Sequence, residues 1–257
     1  MNLFRKLCIA LTLIMVSATY ASDISKETFR VYCAAQTAPF SYIDVDWKKP
    51  KGFEVDLFYE LQNRLGFKIN EDRIIPIPQD LLGDFIDDGL SDISFGAISA
   101  TYAREKHFNM SNVYCQSSLG IIRATGNTDV TTLYSLKGKR IAVVQDSDGL
   151  HYVQSVLQNA QIIQVPNLTL GLFKVHIKEA DALVADRMIL KHFVNTGSNL
   201  GLEVTDDVFD MDSGRIALEL GKDFKYKKEI DDELTRMKND GTIYKLMEKW
   251  GMKASFY

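Results

Sequence analysis

The sequence predicts an α/β protein made of two similar blocks. Apolar runs typical of strands alternate with amphipathic segments typical of helices over almost all of its 257 residues, a pattern that favours largely parallel sheets covered by helices. The pattern starts again after residue 118, with no low-complexity linker. Polar segments follow the predicted strands that end at Ile98, Val144 and Ala185. Because ligands of open α/β sheets bind beyond the carboxyl ends of the strands, we expect these segments to face a cleft between the two blocks.

The first block has four predicted elements. They are a strand over 29–34, a helix over 55–65, a short helix over 81–86 and a buried strand over 93–98. In the long helix, Leu57, Leu61 and Leu65 fall on one stripe, as expected for a helix that covers a sheet. Gly66 is placed to end this helix, and Gly89 to end the shorter one.

The second block and the C-terminal part follow the same rules. Strands are predicted over 119–123, 140–144, 182–185 and 215–220, and helices over 150–157, 225–239 and 242–250. The strand over 182–185 delivers Asp186 at its C-terminal end, and Asp240-Gly241 separates the last two helices.

The N-terminus is typical of a secretory signal peptide. Arg5 and Lys6 precede an apolar run over 7–16, which is short for a membrane span, and small residues lead up to Ala21. We expect cleavage after Ala21 and export to the periplasm, with an N-terminal membrane anchor as the alternative. Removal of residues 1–21 would change the formal charge from −4 to −6, which disfavours nucleic acid as a partner.

Two cysteines, Cys33 and Cys115, remain after the expected cleavage. An oxidising compartment would permit a disulfide between them, and two buried thiols are the alternative. The sequence contains no Cys-x-x-Cys or His-x-x-x-His spacing. We therefore predict no metal site and no cofactor.

Short stretches spread over nearly the whole chain carry a family resemblance. They are residues 38–41 (APFS), 51–57 (KGFEVDL), 99–104 (SATYAR), 108–111 (FNMS), 136–143 (LKGKRIAV), 180–186 (ADALVAD), 239–244 (NDGTIY) and 249–251 (KWG). Each is weak alone, but their ordered set is specific. The chain resembles the bacterial extracellular solute-binding proteins of family 3, the periplasmic polar amino-acid-binding components of ABC transporters.

The resemblance implies a type II two-lobed periplasmic binding protein fold, with a ligand cleft between lobes that a two-segment hinge joins. Lobe 1 is expected over residues 22–117 plus 214–257, and lobe 2 over 118–213. The implied function is capture of a small ligand, an amino acid or a derivative, by hinge closure and its delivery to the membrane permease of an ABC transporter. We further expect a monomer that performs no chemistry.

The resemblance places ligand-binding residues on both lobes. Arg104 matches the arginine that binds the ligand carboxylate, Ser99 matches a hydroxyl position, and Asp186 matches the acid that binds the ligand ammonium. An α-amino acid needs such partners because an unpaired buried charge is costly. The other predicted ligand-binding residues are Thr37, Phe40, Gln79, Ala97, Ser147 and Asp148. The alternatives are a solvated helix start for Arg104 and a helix N-cap for Asp186.

Several positions depart from the family pattern. Ala34 and Thr37 stand where an acid and an aromatic residue are common, and Gln79 stands where an aromatic ring usually stacks on the ligand. Residues 145–148 read Gln-Asp-Ser-Asp, where the family offers donors to the carboxylate at a helix N-terminus. Either Asp148 only caps its helix, or the ligand is cationic or lacks a conventional carboxylate.

Two other functions stay open at this point. A periplasmic cyclohexadienyl dehydratase uses the same fold and needs a general acid, for which Asp146, Asp148 and Asp186 are nominal candidates. The sequence has no Gly-x-Ser-x-Gly motif to support catalysis. The other function is a ligand-sensing receptor, which is normally fused to a membrane segment.

Overall fold

The computed structural model of the chain describes residues 23–44, 49–145, 147–196, 200–209 and 214–252. The predicted signal peptide over 1–21 and Asp146 lie outside these residues. Among the described helices, none combines the length and the apolar character that a membrane crossing requires.

Helices and strands alternate along the chain, as the sequence pattern predicts. Within the described residues, the α-helices are α1 (Phe53–Leu65), α2 (Leu82–Asp87), α3 (Tyr102–His107), α4 (Asp148–Val156), α5 (Leu168–His176), α6 (Arg187–Asn195), α7 (Lys227–Asn239) and α8 (Thr242–Lys249). The strands up to the middle of the chain are β1 (Thr28–Phe29), β2 (Val31–Ala34), β3 (Gln36–Thr37), β4 (Ser41–Ile43), β5 (Pro50–Lys51), β6 (Lys68–Ile69), β7 (Ile75–Ile77), β8 (Ile93–Phe95), β9 (Asn109–Met110) and β10 (Cys115–Gln116). The later strands are β11 (Leu119–Ala124), β12 (Arg140–Val144), β13 (Gln161–Val165), β14 (Ala182–Asp186), β15 (Leu202–Val204), β16 (Arg215–Ile216) and β17 (Glu219–Leu220).

Two five-stranded sheets organise the molecule. The first has the strand order β7-β2-β8-β17-β9, and the second has the order β13-β12-β14-β11-β15. In each sheet one strand, β17 or β11, pairs antiparallel with both of its neighbours, and the other pairings are parallel. The prediction of largely parallel sheets is therefore wrong in part, because each sheet is mixed, with two parallel and two antiparallel pairings. The antiparallel strands follow short connections from β10 and β16, without the long crossover that parallel neighbours require.

Two predicted strands are shorter than expected. The predicted strand over 93–98 ends at Phe95 because Gly96 and Ala97 adopt φ angles of 149° and 54°, which are outside the range of strands. A Cβ on Gly96 would lie 2.3 Å from the Cβ of Ala34, so this close approach requires glycine. The predicted strand over 215–220 is divided into β16 and β17.

Short strands β10 and β16 connect the two sheets. They pair antiparallel, with Cys115 opposite Ile216, and the backbone N–H of Ser117 donates to the carbonyl of Gly214 at 2.8 Å. A Cβ on Gly214 would lie 2.4 Å from the Ser117 carbonyl group, so glycine is what lets the two segments approach this closely. These paired segments form the two-segment hinge of a type II two-lobed fold.

Each sheet is covered on both faces by apolar side chains. The largest core surrounds the first sheet and includes Phe53, Phe58 and Phe95, all fully buried. Cys33 and Cys115 are free buried thiols in this core. The structure thus contains the unpaired alternative rather than a disulfide.

Candidate functional site

The segment after β8 carries Ala97, Ser99 and Arg104. Ser99 is buried, and it pairs with Ile216 of the hinge through an isolated bridge. Helix α3 begins after Thr101, whose Oγ1 accepts a hydrogen bond from the backbone N–H of Arg104 at 3.3 Å. This cap fixes Arg104 in the first turn of α3, beside the backbone of Ser99.

The guanidinium of Arg104 has two described partners. Its Nη1 donates to the carbonyl oxygen of Ser99 at 3.2 Å, and its Nε lies 3.8 Å from Oε1 of Glu219. The side chain of Arg104 is 39% exposed and that of Glu219 is 3% exposed. Arg104 therefore contacts a buried carboxylate, while part of its own side chain is exposed to solvent.

Thr37 and Gln79 form a polar relay that supports the turn after β8. Gln79 Nε2 donates to the carbonyl oxygen of Gly96 at 2.9 Å, and Thr37 Oγ1 donates to Gln79 Oε1 at 3.4 Å. Gln79 stands where an aromatic ring is expected. Its side-chain amide instead holds the backbone of the turn.

Glu54 is a buried carboxylate on α1 that contacts the same turn, and the sequence interpretation did not single it out. Its Oε2 accepts from the backbone N–H of Ala97 at 2.9 Å, and its Oε1 accepts from the Tyr114 hydroxyl. Burial raises the pKa of Glu54 to about 7, although both hydrogen bonds lower it, and the charge of Asp186 raises it further. Glu54 and Asp186, from the two sides of the fold, are therefore close enough to interact electrostatically.

Asp186 ends β14 and caps α6. Its Oδ1 accepts from the backbone N–H groups of Met188 at 2.9 Å and Ile189 at 3.1 Å, and it is also hydrogen-bonded to Ser117. Burial raises its pKa to about 6, against these hydrogen bonds, and the charge of Asp148 adds to the rise. Asp186 is thus the N-cap of α6, and its role as the acid that binds the ligand ammonium stays a prediction.

The N-terminus of α4 is capped by Ser147. Its Oγ accepts from the backbone N–H of Leu150 at 3.2 Å and donates to the carbonyl of Val144 at 2.6 Å. The expectation that Asp148 caps this helix is wrong, because Asp148 is already the first helical residue. An acid in the first turn interacts favourably with the helix dipole without capping it. Asp146, the other acid of the segment 145–148, lies outside the described residues.

Phe40 is placed differently from the other predicted residues. Its side chain is fully buried in the core of the first sheet and packs edge-on against Phe53, with ring centroids 6.2 Å apart. Its carbonyl oxygen accepts from the backbone N–H of Glu54 at 2.9 Å. Phe40 therefore supports the start of α1 from beneath rather than presenting its ring at a surface.

The structure brings the predicted residues together in three groups. Thr37, Gln79 and Ala97 meet at the turn after β8, where Glu54 joins them. Ser99 and Arg104 form the second group with Glu219, and Asp186 and Asp148 form the third. Of these, Glu54 and Glu219 were missed. A charged residue within apolar strand-like or helix-like sequence was the signal that could have identified both, since such charges are rarely buried without a role.

A separate groove lies outside these groups, at the hinge. It has a volume of about 480 Å³ and is lined by residues of the crossing segments and α7, among them Gln116, Arg215 and Lys238. None of its lining residues belongs to the predicted ligand-binding set. The groove is therefore separate from the three groups, which rest on the contacts between their own residues.

The description "bacterial extracellular solute-binding proteins, family 3" applies to a family model that matches residues 29–253. This match spans both sheets and the hinge. The chain belongs to this family. The family that the ordered motifs predicted is therefore confirmed.

This solute-binding protein is similar to named relatives over most of its length. It is 26% identical to the amino-acid-binding protein AabA of Dichelobacter nodosus over 215 residues, which cover 82% of this chain and 83% of the relative. It is 28% identical to the L-cystine-binding protein TcyJ of Escherichia coli (strain K12) over 216 residues, which cover 82% and 78%. A solved structure of an ancestral arginine-binding protein bound to arginine matches with a TM-score of 0.77 at 25% identity, over 87% of this chain and 97% of that one.

The site of this solute-binding protein is rich in acids. Asp186 interacts electrostatically with Glu54 and with Asp148, and Arg104 is the cation of the predicted set. In the part of the chain that the structure describes, no three His, Cys, Asp or Glu side chains are grouped as metal ligands. Arg104 pairs with Glu219, and Asp186 caps α6, while their roles in ligand binding stay predictions.

Proposed function

We propose that this protein binds a polar L-amino acid in the cleft between its lobes and delivers it to the permease of an ABC transporter. The observation that carries the proposal is the placement of Arg104 on α3, beside the first sheet, and of Asp186 at the end of β14 in the second sheet. A carboxylate paired with Arg104 and an ammonium paired with Asp186 would link the two sheets. The ligand would thereby stabilise the closed arrangement of the hinge.

The lobes in this proposal are residues 22–117 with 214–257, and residues 118–213. The paired crossing strands β10 and β16 support these boundaries. Met188 and Ile189, which follow Asp186, pack against the core of the first sheet. This contact supports a closing motion in which the start of α6 approaches the turn after β8.

The charges of the site favour a ligand that carries more than one cationic group. Asp148 raises the pKa of Asp186, and Asp186 raises that of Glu54, so Asp186 repels an acid on either side of it. A second ligand cation would relieve this repulsion. L-arginine and L-cystine, each with two cationic nitrogen groups, are therefore the first candidates, and the names of the relatives agree with both.

Each predicted residue has a part in the proposal. Ser99 offers its backbone and hydroxyl beside Arg104, and Ala97 shapes the turn that Thr37 and Gln79 support. Ser147 and Asp148 form the lobe 2 wall at the start of α4. Phe40 does not touch the ligand in this proposal, but supports Glu54 by a hydrogen bond to the backbone of α1.

A thermal-shift screen tests the proposed ligand class. The mature protein is heated with each of the 20 standard amino acids and with L-cystine, since a ligand at about 100 times its dissociation constant should stabilise the fold by about 2.7 kcal/mol. We expect a raised midpoint for at least one basic amino acid or for L-cystine. If no compound in the set raises the midpoint, the proposed ligand class is wrong.

Two arginine variants test the proposed site. Arg104→Ala should abolish the ligand-induced shift because a bidentate cation for the carboxylate is lost. Arg140→Ala is the matched control: Arg140 is 41% exposed and paired with Asp181 at the start of β12, away from the carboxyl ends of the strands. An unchanged affinity in Arg104→Ala would remove Arg104 from the binding site.

We propose a periplasmic monomer that performs no catalysis. Size-exclusion chromatography with light scattering should give one chain per particle, and fractionation should place the mature protein in the periplasm. Incubation with arogenate or prephenate should give no product, because the proposed role ends with binding. Formation of the dehydrated product would instead favour the enzyme on this fold.

A further inference from the structure

Glu219 is a carboxylate buried in the middle of the first sheet. It lies on β17 between β8 and β9, opposite Ser94 and Met110, and its side chain is 3% exposed. Alanine, leucine and isoleucine surround it along the strand segment RIALEL. A charge in such a position costs free energy unless a partner compensates for it.

Arg104 provides that compensation from α3. Its Nε lies 3.8 Å from Glu219 Oε1, while its Nη1 donates to the Ser99 carbonyl. One side of the guanidinium therefore faces a buried carboxylate. The remaining N–H groups of the guanidinium, at the partly exposed end of the Arg104 side chain, can then bind a ligand.

Other charged groups surround Glu219 at a greater distance. Asp87 of α2 accepts a hydrogen bond from His107 Nε2 at 2.7 Å and pairs with Lys222 Nζ at 2.9 Å. Burial raises the pKa of Glu219 to about 7, with Asp87 adding to the rise and with Arg104 and His107 opposing it. The residues opposite Glu219 on the neighbouring strands, Ser94 and Met110, are uncharged. Among the described residues, the charges that act on Glu219 are those of Arg104, Asp87 and His107.

We propose that Glu219 is the internal counter-ion of Arg104, and that a ligand carboxylate arriving at Arg104 drives Glu219 to take up a proton. The inference rests on the proposed function, because it takes Arg104 as the carboxylate-binding group. Two carboxylates cannot share one guanidinium without repelling each other. Protonation of the buried one relieves the repulsion, since its neutral form is also the form that burial favours.

The sign of the pH effect follows from this competition. Below about pH 7, where Glu219 is largely protonated, its charge does not oppose the ligand carboxylate. At higher pH part of the binding free energy is used to protonate Glu219, so affinity falls. The amide that the substitution E219Q introduces would mimic the protonated acid at every pH.

Isothermal titration calorimetry at pH 8, in phosphate and in Tris, measures the proton uptake directly. The probes are L-arginine and L-cystine, each titrated into wild type and into E219Q. Wild-type protein should take up more protons with each amino acid than E219Q does. Protons exchanged by Glu54, by Asp186 and by the ammonium group of the ligand are common to both proteins and cancel in this difference.

E219Q should remove the extra proton uptake and bind the amino acid about 5- to 10-fold more tightly than wild type at pH 8, with equal affinities at pH 5.5. The matched control is E233Q, because Glu233 is also buried and is paired with Arg64 and Arg236 far along α7. It should behave like wild type. E219M, which removes the carboxylate without adding a buried amide, gives the same comparison with wild type if E219Q folds poorly.

The outcomes separate this inference from the proposed function. If Arg104→Ala abolishes binding but wild type and E219Q show equal proton uptake with the amino acid, the role of Glu219 is wrong and the proposed function stands. The role is also wrong if E219Q and wild type have equal affinity at pH 8. If neither L-arginine nor L-cystine binds, this inference falls with the ligand class on which it rests.

Discussion

Ala97 and Glu54 are joined across 43 positions of sequence by a hydrogen bond of 2.9 Å, from the backbone N–H of Ala97 to Glu54 Oε2. Ala97 adopts a φ of 54°, a conformation that is uncommon for residues other than glycine. The Glu54 carboxylate therefore holds in place the turn that precedes Ser99 and Arg104. Several properties of the protein should depend on this contact and on those around it.

Stability should fall as the pH rises from about 5 to 8. The pKa of Glu54 and of Glu219 is raised to about 7 and that of Asp186 to about 6, so in this range the folded protein binds more protons than the unfolded chain. The free energy of unfolding then decreases with pH, by up to about 7 kcal/mol for the three groups together at about 1.4 kcal/mol per pKa unit. Urea denaturation at pH 5 and pH 8 measures it. Greater stability at pH 8 would contradict the raised pKa values.

Tyr114→Phe should lower the free energy of unfolding by about 1–3 kcal/mol, because the buried Glu54 carboxylate loses a hydroxyl donor. The same hydrogen bond lowers the pKa of Glu54, so the pH dependence of stability should extend to higher pH in the variant. Urea denaturation over a pH series measures both effects. Tyr134→Phe, at a side chain that is 87% exposed, should change neither.

Gln79→Leu should weaken ligand binding more than it weakens the fold. The variant keeps the side-chain size but removes the donor to the Gly96 carbonyl and the acceptor for Thr37, so the turn before Ser99 loses its support. We expect the dissociation constant for L-arginine or L-cystine to rise about 3- to 10-fold, equivalent to one hydrogen bond. Calorimetric titration measures the change. Gln161→Leu, at an exposed position on β13, is the control, and equal affinities in the two variants would refute the role of the relay.

Gly214→Ala should destabilise the hinge. The new Cβ would lie 2.4 Å from the Ser117 carbonyl group, so the crossing segments must separate. We expect a loss of about 2 kcal/mol, seen as a lower thermal midpoint, together with a changed radius of gyration in small-angle X-ray scattering. Gly221→Ala is the control, since its nearest contact is at 3.8 Å. A variant with an unchanged midpoint would show that the hinge tolerates the separation.

The amino-acid sequence determined the fold class and the order of its elements. The stripe of leucines in α1 and its end at Gly66, where φ is 77°, are local features that periodicity and glycine placement predict. The ordered motifs likewise predicted the family, because they are read along the chain. Arg104, Asp186 and the other residues proposed to bind ligand remain predictions from those motifs.

Only the tertiary structure decided how the charged groups are paired. Glu219 lies 115 positions from Arg104 and Tyr114 lies 60 positions from Glu54, yet each pair is in contact. Sequence patterns report which face of an element is apolar, but they carry no distance between residues far apart in the chain. The same limit explains Gln79, which reads as a missing aromatic ring in the sequence and is a support for Gly96 in the fold. Burial then sets the protonation of these acids, and burial is a property of the folded molecule alone.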